Sequence, residues 1–219
     1  EATAEPARPY EEVYPEDLAK IEDFLDTNYV TVDEDFNTTF TLIPDGGTQT
    51  PISQMTELEF VNRTIHDISY KIYYLKLREG IGENPTRVDS SFVSYKGNLI
   101  SDISVTFDQS SNPIWFSLED VVRGWGEIIP QFKTGTTTYN ADGSANYQDF
   151  GAGVLFIPSG LGYYAYPPGT STIPAYSPLI FSFKLYEIER VDNDGDGIYS
   201  YQEDLNNDGY VRVLADGVT

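Results

Sequence analysis

The eighteen residues from Asp192 to Gly209 carry six carboxylates and neither lysine nor arginine. The first twelve read Asp-x-Asp-x-Asp-Gly, five further residues and Glu, which is the spacing of an EF-hand calcium loop. Ca²⁺ binds six to eight oxygens, the glycine allows a sharp bend, and the final glutamate supplies two oxygens. The predicted ligands are Asp192, Asp194, Asp196, the carbonyl of Ile198, and Glu203. The alternative interpretation is a solvated acidic tail that holds no ion.

A second, incomplete loop follows directly. Its candidate ligands are Asp204, Asn206, Asp208 and the carbonyl of Tyr210. Position twelve is Ala215 instead of glutamate, so a second ion would lack a bidentate ligand unless Glu203 or Asp216 contributed. The preceding segment, FKLYEIERV, has the composition of a strand, which argues against a helix–loop–helix sensor. We therefore expect structural Ca²⁺ that braces the C-terminus.

No set of side chains indicates nucleophilic or acid–base catalysis. His66 is the only histidine, and no spacing in the sequence gives it a catalytic partner. The sequence also lacks the Gly-x-x-x-x-Gly-Lys pattern of a phosphate-binding loop. Any reaction carried out by this chain is therefore expected to need no proton transfer.

The composition excludes several classes of protein. The net charge is −22, with 13 lysines and arginines, so we expect no binding to nucleic acid, which depends on cationic side chains. Cations and neutral ligands are the better candidates. The absence of cysteine excludes disulfides and thiolate sites. No apolar run reaches the roughly 18 residues that span a bilayer.

The hydrophobic pattern predicts an α+β fold. Strands are indicated at 68–80, 91–97, 154–158 and 179–189 by their β-branched and aromatic content, and the last of these alternates with a period of two. One segment, 119–132, has apolar residues at three- and four-residue steps, which predicts a short helix that Pro130 would end.

The domain organisation is predicted from shifts in composition. Residues 1–13 are expected to form a flexible leader, 14–67 an N-terminal helix and β extension, 68–190 the main domain and 191–219 the calcium-binding module. The first helix is predicted to open at Pro15 and to end near Tyr29. Asp142-Gly143 between polar arms predicts an inserted hairpin at 136–150.

Four segments of the main domain carry a family resemblance. They are VSYKG (93–97), FDQSSNPIWFSLEDVVRGWGEIIPQFKTG (107–135), FIPSGLGYYAY (156–166) and IPAYSPLIFSFKLYEIE (173–189). In this order and spacing, the chain resembles the FKBP-type peptidyl-prolyl isomerases from about Ile68 to Glu189. The resemblance implies a bent antiparallel sheet wrapped around one short helix.

The resemblance also implies a pocket for proline. Its lining would be Tyr95, Phe107, Asp108, Ile114, Val121, Val122, Trp125, Tyr163, Ile173 and Phe181. Trp125 would form the floor, and the main-chain N–H of Val122 and the hydroxyl of Tyr163 would bind substrate carbonyls. Ile114 stands where the family usually has a phenylalanine, and residues 136–150 are an insertion. The alternative is a plain core, which would not need the polar Asp108 and Tyr163.

These implications give an expected function. By resemblance, the chain is a peptidyl-prolyl cis-trans isomerase that assists the folding of exported proteins and binds proline-containing polypeptides, with no catalytic cofactor. We expect a monomer, exported to the bacterial periplasm or held at the outer membrane by a lipid anchor preceding residue 1. Two alternatives stay open, namely a non-catalytic proline-binding or chaperone module and a calcium-braced surface scaffold.

Overall fold

The computed structural model describes residues 6–211 of the chain. Two helices, α1 (Tyr10–Thr27) and α2 (Arg123–Ile128), occur in these residues together with ten strands. The strands are β1 (Asn28–Val32), β2 (Thr38–Leu42), β3 (Leu58–Ile65), β4 (Ile68–Arg78), β5 (Ser90–Leu99), β6 (Thr106–Ser117), β7 (Thr136–Tyr139), β8 (Ala145–Gln148), β9 (Gly151–Ile157) and β10 (Leu179–Glu189). Short 3₁₀ turns lie at Ile52–Gln54, Ile129–Gln131, Ser159–Leu161 and Ser200–Glu203.

Six of the strands form one sheet, in the order β3-β4-β9-β10-β5-β6. β3 and β4 pair antiparallel, from Leu58 opposite Leu75 to Ile65 opposite Ile68. β1 pairs antiparallel with β2, and β7 with β8. The predicted α+β class is confirmed. The hairpin expected at 136–150 is confirmed by the β7–β8 pair, whose turn contains Gly143 at φ +82°.

The strand predictions are borne out most closely in β9 and β10. All seven residues of β9 are buried, as expected for a continuous apolar run. In β10, buried Phe181, Phe183 and Leu185 alternate with half-buried Ser182 and Lys184. The alternation ends where Tyr186 becomes buried. The aromatic rings of Phe92, Tyr147 and Phe150 cover it, which a period-two pattern does not foresee.

Helix α1 begins earlier than predicted. It starts at Tyr10 and contains Pro15 in its interior, so the expected leader of residues 1–13 is wrong at its C-terminal end. A proline inside a helix removes one backbone hydrogen bond. Tertiary packing offsets this cost, because Val13 is 1% exposed and Tyr10 stacks on Tyr164 with ring centroids 4.3 Å apart.

Helix α2 is shorter than predicted. The expected helix over 119–132 is reduced to Arg123–Ile128, followed by a 3₁₀ turn that contains Pro130. Val121 and Val122 precede the helix, and Val122 is extended at φ −54° and ψ 141°. β-Branched residues favour that conformation over the helical one. Pro130 accounts for the end of the helix, as predicted.

The described chain divides into two compact units. The first comprises residues 6–75, 96–109 and 154–182, and its core includes Ile21, Leu25, Ile72 and Phe156. The second comprises residues 76–95, 110–153 and 183–211, and its core includes Trp125, Ile128, Phe132 and Phe183. Apart from the end of the expected leader, the domain boundaries predicted from composition stay a prediction.

Within residues 6–211, neither helix combines the length and the hydrophobicity needed to cross a bilayer.

Candidate active site

Five of the ten predicted pocket residues lie in the first unit. Phe107 of β6 and Phe181 of β10 meet edge to face, with ring centroids 5.4 Å apart. Gly97 of β5 lies against both rings, because a Cβ atom there would come within 2.5 Å of Phe107 and 2.9 Å of Phe181. The glycine therefore permits the close approach of this aromatic pair to the strand.

A polar pair, Tyr163 and Asp108, lies in the same unit. Burial raises the pKa of the Tyr163 phenol, and the nearby carboxylate of Asp108 raises that pKa further. Tyr163 is half-buried and Asp108 is exposed. The phenol therefore keeps its proton at neutral pH and remains a hydrogen-bond donor. Ile173, the fifth residue, is buried at 7% exposure.

The loop that carries Tyr163 is held by helix α1 and the residues before it. Ser159, at the start of the loop, donates its backbone N–H to Oδ2 of Asp17 at 2.8 Å and its hydroxyl at 2.5 Å. Tyr164 donates its hydroxyl to the backbone carbonyl of Arg8. The φ of Tyr164 is +54°, a left-handed conformation that is unfavourable for an aromatic residue and that these contacts stabilise.

The other five predicted residues, which include Trp125, lie in the second unit. The indole is 3% exposed, and Tyr95 meets it edge-on with ring centroids 5.8 Å apart. Phe116 and Phe183 also face the indole, at 6.2 and 6.0 Å. These four aromatic side chains form one cluster, in which Trp125 and Phe183 are each 3% exposed.

The remaining three residues of this unit are aliphatic. Val121, Val122 and Ile114 are all half-buried. The carbonyl of Val122 accepts a 3.0 Å hydrogen bond from the backbone N–H of Trp125, which fixes the turn that leads into α2. The backbone at Val122 is therefore held in a defined position at the entrance to the helix.

The first aspartate loop brings three carboxylates together. Ligand atoms of Asp192, Asp194 and Asp196 lie within 4.8 Å of one another. Asp192 accepts hydrogen bonds from the backbone N–H groups of Gly195 and Gly197, and these bonds hold its pKa below the ordinary range. Among the described carboxylates, Glu203 is not a member of this group and lies in the Ser200–Glu203 turn.

The second aspartate loop shares part of this hydrogen-bond pattern. Asp204 accepts hydrogen bonds from the backbone N–H groups of Asp208 and Gly209. Asp208 accepts one from the N–H of Tyr210, as Asp196 does from that of Ile198. Asn206 donates its side-chain amide to Asp208 at 3.0 Å. Ala215 and Asp216, considered above for a second ion, lie outside the described residues.

Three curated proteins that are named as peptidyl-prolyl isomerases are similar to this chain in sequence. The chain is 30% identical over 136 residues to a probable FKBP-type peptidyl-prolyl cis-trans isomerase FkpA of Neisseria meningitidis, covering 61% of this chain and 42% of the relative. It is 32% identical over 143 residues to FkpA of Buchnera aphidicola, covering 64% and 48%. It is 36% identical over 67 residues to the peptidyl-prolyl isomerase Mip of Coxiella burnetii, covering 29% and 28%.

The chain is related to FKBP-type peptidyl-prolyl isomerases. It spans less than half the length of these curated relatives. No family model matches it. Among solved structures, a peptidyl-prolyl isomerase of Pseudomonas syringae aligns with a TM-score of 0.49 at 20% identity, covering 85% of this chain and all of that one. FkpA of Escherichia coli aligns with a TM-score of 0.48 at 24% identity, covering 82% and 62%.

Several residues of this FKBP-related chain were not predicted to belong to the site. Phe116 and Phe183, which face Trp125, lie two positions after Ile114 and Phe181, so the strand period offered a signal for both. Asp17 and Ser159 are 142 residues apart, and no spacing in the sequence connects them. The same is true of Arg87 and Glu127, which pair across 40 residues.

Proposed function

We propose that this chain catalyses the cis-trans isomerisation of prolyl peptide bonds. The observation that carries the proposal is the cluster around Trp125, in which Tyr95, Phe116 and Phe183 surround a buried indole. It is supported by relatives that are named as peptidyl-prolyl isomerases. Trp125 contacts the prolyl ring, and Tyr95, Val121 and Ile114 supply further apolar surface.

The chemistry of such a site requires no acid or base. Rotation of a prolyl bond has a barrier of about 18–20 kcal/mol, because the amide loses its resonance when it twists. The twisted amide is less polar than the planar one, so an apolar, water-poor surface favours it over the ground state. The lack of an obvious nucleophile in the sequence agrees with this mechanism.

Polar groups orient the substrate in this proposal. Tyr163 keeps its proton because burial and Asp108 raise the pKa of its phenol, so it donates a hydrogen bond to a substrate carbonyl. The N–H of Val122 binds a second carbonyl. Phe107, Ile173 and Phe181 supply apolar contacts in the unit that contains Tyr163.

The substrates are proline-containing polypeptides. Uncatalysed prolyl isomerisation takes tens to hundreds of seconds and limits folding, so we propose that the chain assists exported proteins. We further propose that it acts as a monomer in the bacterial periplasm, or at the outer membrane through a lipid anchor before residue 1.

A proline-peptide assay separates catalysis from binding alone. Exchange of a short proline peptide is followed by NMR with and without the full chain, and peptide affinity is measured by calorimetry. An isomerase accelerates exchange at substoichiometric concentration. Saturable binding without acceleration would assign the alternative, a proline-binding or chaperone module, and absence of both would refute the proposal.

We also propose that the two aspartate loops bind structural Ca²⁺. The full twelve-position pattern and the convergence of Asp192, Asp194 and Asp196 support the first site. Ile198 would add its carbonyl, and Glu203 would close the site. The second loop offers Asp204, Asn206, Asp208 and the carbonyl of Tyr210 in matching backbone geometry. Ca²⁺ would cross-link the ligands of each loop and would take no part in catalysis.

A further inference from the structure

The side chain of Tyr210 connects the second aspartate loop to helix α2. Its hydroxyl donates a 2.8 Å hydrogen bond to Oε1 of Glu127 and accepts a 3.2 Å bond from the guanidinium of Arg123. The guanidinium carbon of Arg87 lies 3.6 Å from the centre of its ring, a cation–π contact. One tyrosine therefore contacts three charged residues of the second unit.

Glu127 is the centre of these contacts. It is 1% exposed, and Arg87 binds both of its carboxylate oxygens, at 2.6 and 2.5 Å. Arg123 adds a bond of 3.1 Å from its Nε. Glu127 follows Trp125 by two residues within the six-residue helix α2. Any group that fixes the carboxylate of Glu127 therefore also restricts the helix that carries the indole.

A second contact reaches the turn before this helix. The side-chain amide of Asn193, in the first aspartate loop, donates a 2.7 Å hydrogen bond to Glu119. Asn193 is itself held by the hydroxyl of Ser200, which accepts its backbone N–H at 2.9 Å. Both aspartate loops thus bind the stretch from Glu119 to Glu127, which contains Val121, Val122 and Trp125.

A pocket that is partly open to solvent lies beside Tyr210 and the residues that precede α2. Its volume is about 190 Å³, and its lining includes Leu118, Val121, Arg123 and Tyr210. On this side, the hydrogen bonds of Tyr210 and Asn193 join the C-terminal segment to α2 and to the turn before it.

We infer that the C-terminal segment 190–211 positions helix α2 for binding of the prolyl peptide, acting through Tyr210 on Glu127 and through Asn193 on Glu119. The inference rests on the proposed isomerase function. Tyr210 is a positioning residue, since it acts on the indole only through Glu127. The C-terminal segment then affects peptide binding indirectly, by fixing the position of α2.

The test compares two tyrosine variants of the full chain at one fixed calcium concentration. Tyr210→Phe removes the hydroxyl and keeps the ring over Arg87, whereas Tyr199→Phe changes an exposed tyrosine of the same segment. Each is made in a Trp115→Phe background, so that Trp125 is the only fluorophore of its kind. We expect Tyr210→Phe to shift the Trp125 emission and to raise the KM for a proline peptide roughly threefold to tenfold, with kcat changed less than twofold.

Asn193→Ala provides a second variant if Tyr210→Phe folds poorly, and the same shift in emission and KM is expected, with Tyr199→Phe like the parent. Unchanged Trp125 emission in folded Tyr210→Phe or Asn193→Ala overturns the inference, whether or not the chain is an isomerase. An active parent whose KM is unaffected by these variants also overturns it. An inactive parent refutes the proposed function instead, and the emission then decides the positioning role.

Discussion

Ser159 binds Asp17 through two hydrogen bonds to a single carboxylate oxygen, one from its backbone N–H and one from its hydroxyl. The other oxygen of Asp17, Oδ1, is buried without a hydrogen-bond partner among the described residues. Burial raises the pKa of Asp17, and the bonds from Ser159 offset only part of that effect. The pair joins helix α1 to the turn that precedes Tyr163.

This pair predicts a pH dependence of stability. A carboxyl whose pKa is raised on folding stabilises the folded state most when it is protonated, below its unfolded pKa near 3.8, and that contribution is lost as pH rises through the folded pKa. Relative to Asp17→Asn, the wild-type melting temperature should therefore rise as pH falls from 7 towards 4. Using the difference between the two proteins removes the effect of the other carboxylates. Parallel melting curves across this range would contradict the prediction.

The hydroxyl of Tyr163 is predicted to contribute to catalysis. Tyr163→Phe should lower kcat/KM about fivefold, as expected for the loss of a hydrogen bond of about 1 kcal/mol. Tyr166→Phe is the matched control, since that tyrosine lies in the same loop and is 75% exposed. Equal activity of the two variants would remove Tyr163 from the site.

Gly97 is predicted to be intolerant of any side chain. The methyl group of Gly97→Ala would collide with Phe107 and Phe181, so one ring must move. Overpacking of this kind costs about 1–3 kcal/mol, and the melting temperature should fall by about 2–4 °C for each kcal/mol. Peptide affinity should fall as well. Gly169→Ala serves as control, because nothing lies within 4 Å of a Cβ atom there and it should melt like wild type.

Calcium is predicted to stabilise the folded chain. At a free concentration about a hundredfold above Kd, one bound ion adds about 2.7 kcal/mol, measurable as a higher melting temperature in CaCl₂ than in EDTA. Asp194→Asn and Asp196→Asn should each reduce this difference. Asp45→Asn removes the same charge from an exposed position far along the chain and should retain it. If the wild-type protein melts at the same temperature in CaCl₂ and in EDTA, a solvated acidic tail that binds no ion is the better interpretation.

Local patterns predicted the strands and turns because their signals lie within a few residues. Three local signals each indicate the backbone conformation of their own residues. They are the alternation from Phe181 to Leu185, the apolar run of β9 and the Asp142-Gly143 turn. The same reasoning placed Val121 and Val122 inside a helix, since apolar spacing cannot distinguish a helical turn from extended residues packed beside it. The residues before α2 also make a long-range contact that no local pattern indicates, the hydrogen bond from the N–H of Leu118 to the carbonyl of Asp89.

The long-range polar contacts could not be predicted either, because they too depend on the tertiary fold. Nothing in the composition connects Asp17 with Ser159, or Tyr210 with Glu127, because each pair forms only when distant segments fold together. The start of α1 is a further example. Pro15 suggests a first turn, yet the packing of Tyr10 on Tyr164 extends the helix before it.

The separation of Asp17 and Ser159 also sets an order of events during protein synthesis. Ser159 is translated 142 residues after Asp17, which takes roughly 7 to 30 seconds at bacterial and eukaryotic elongation rates. Until then Asp17 in helix α1 has no Ser159 to bind it. The nascent chain therefore cannot fix the loop that carries Tyr163 onto helix α1 until residue 159 has emerged, however early α1 itself forms.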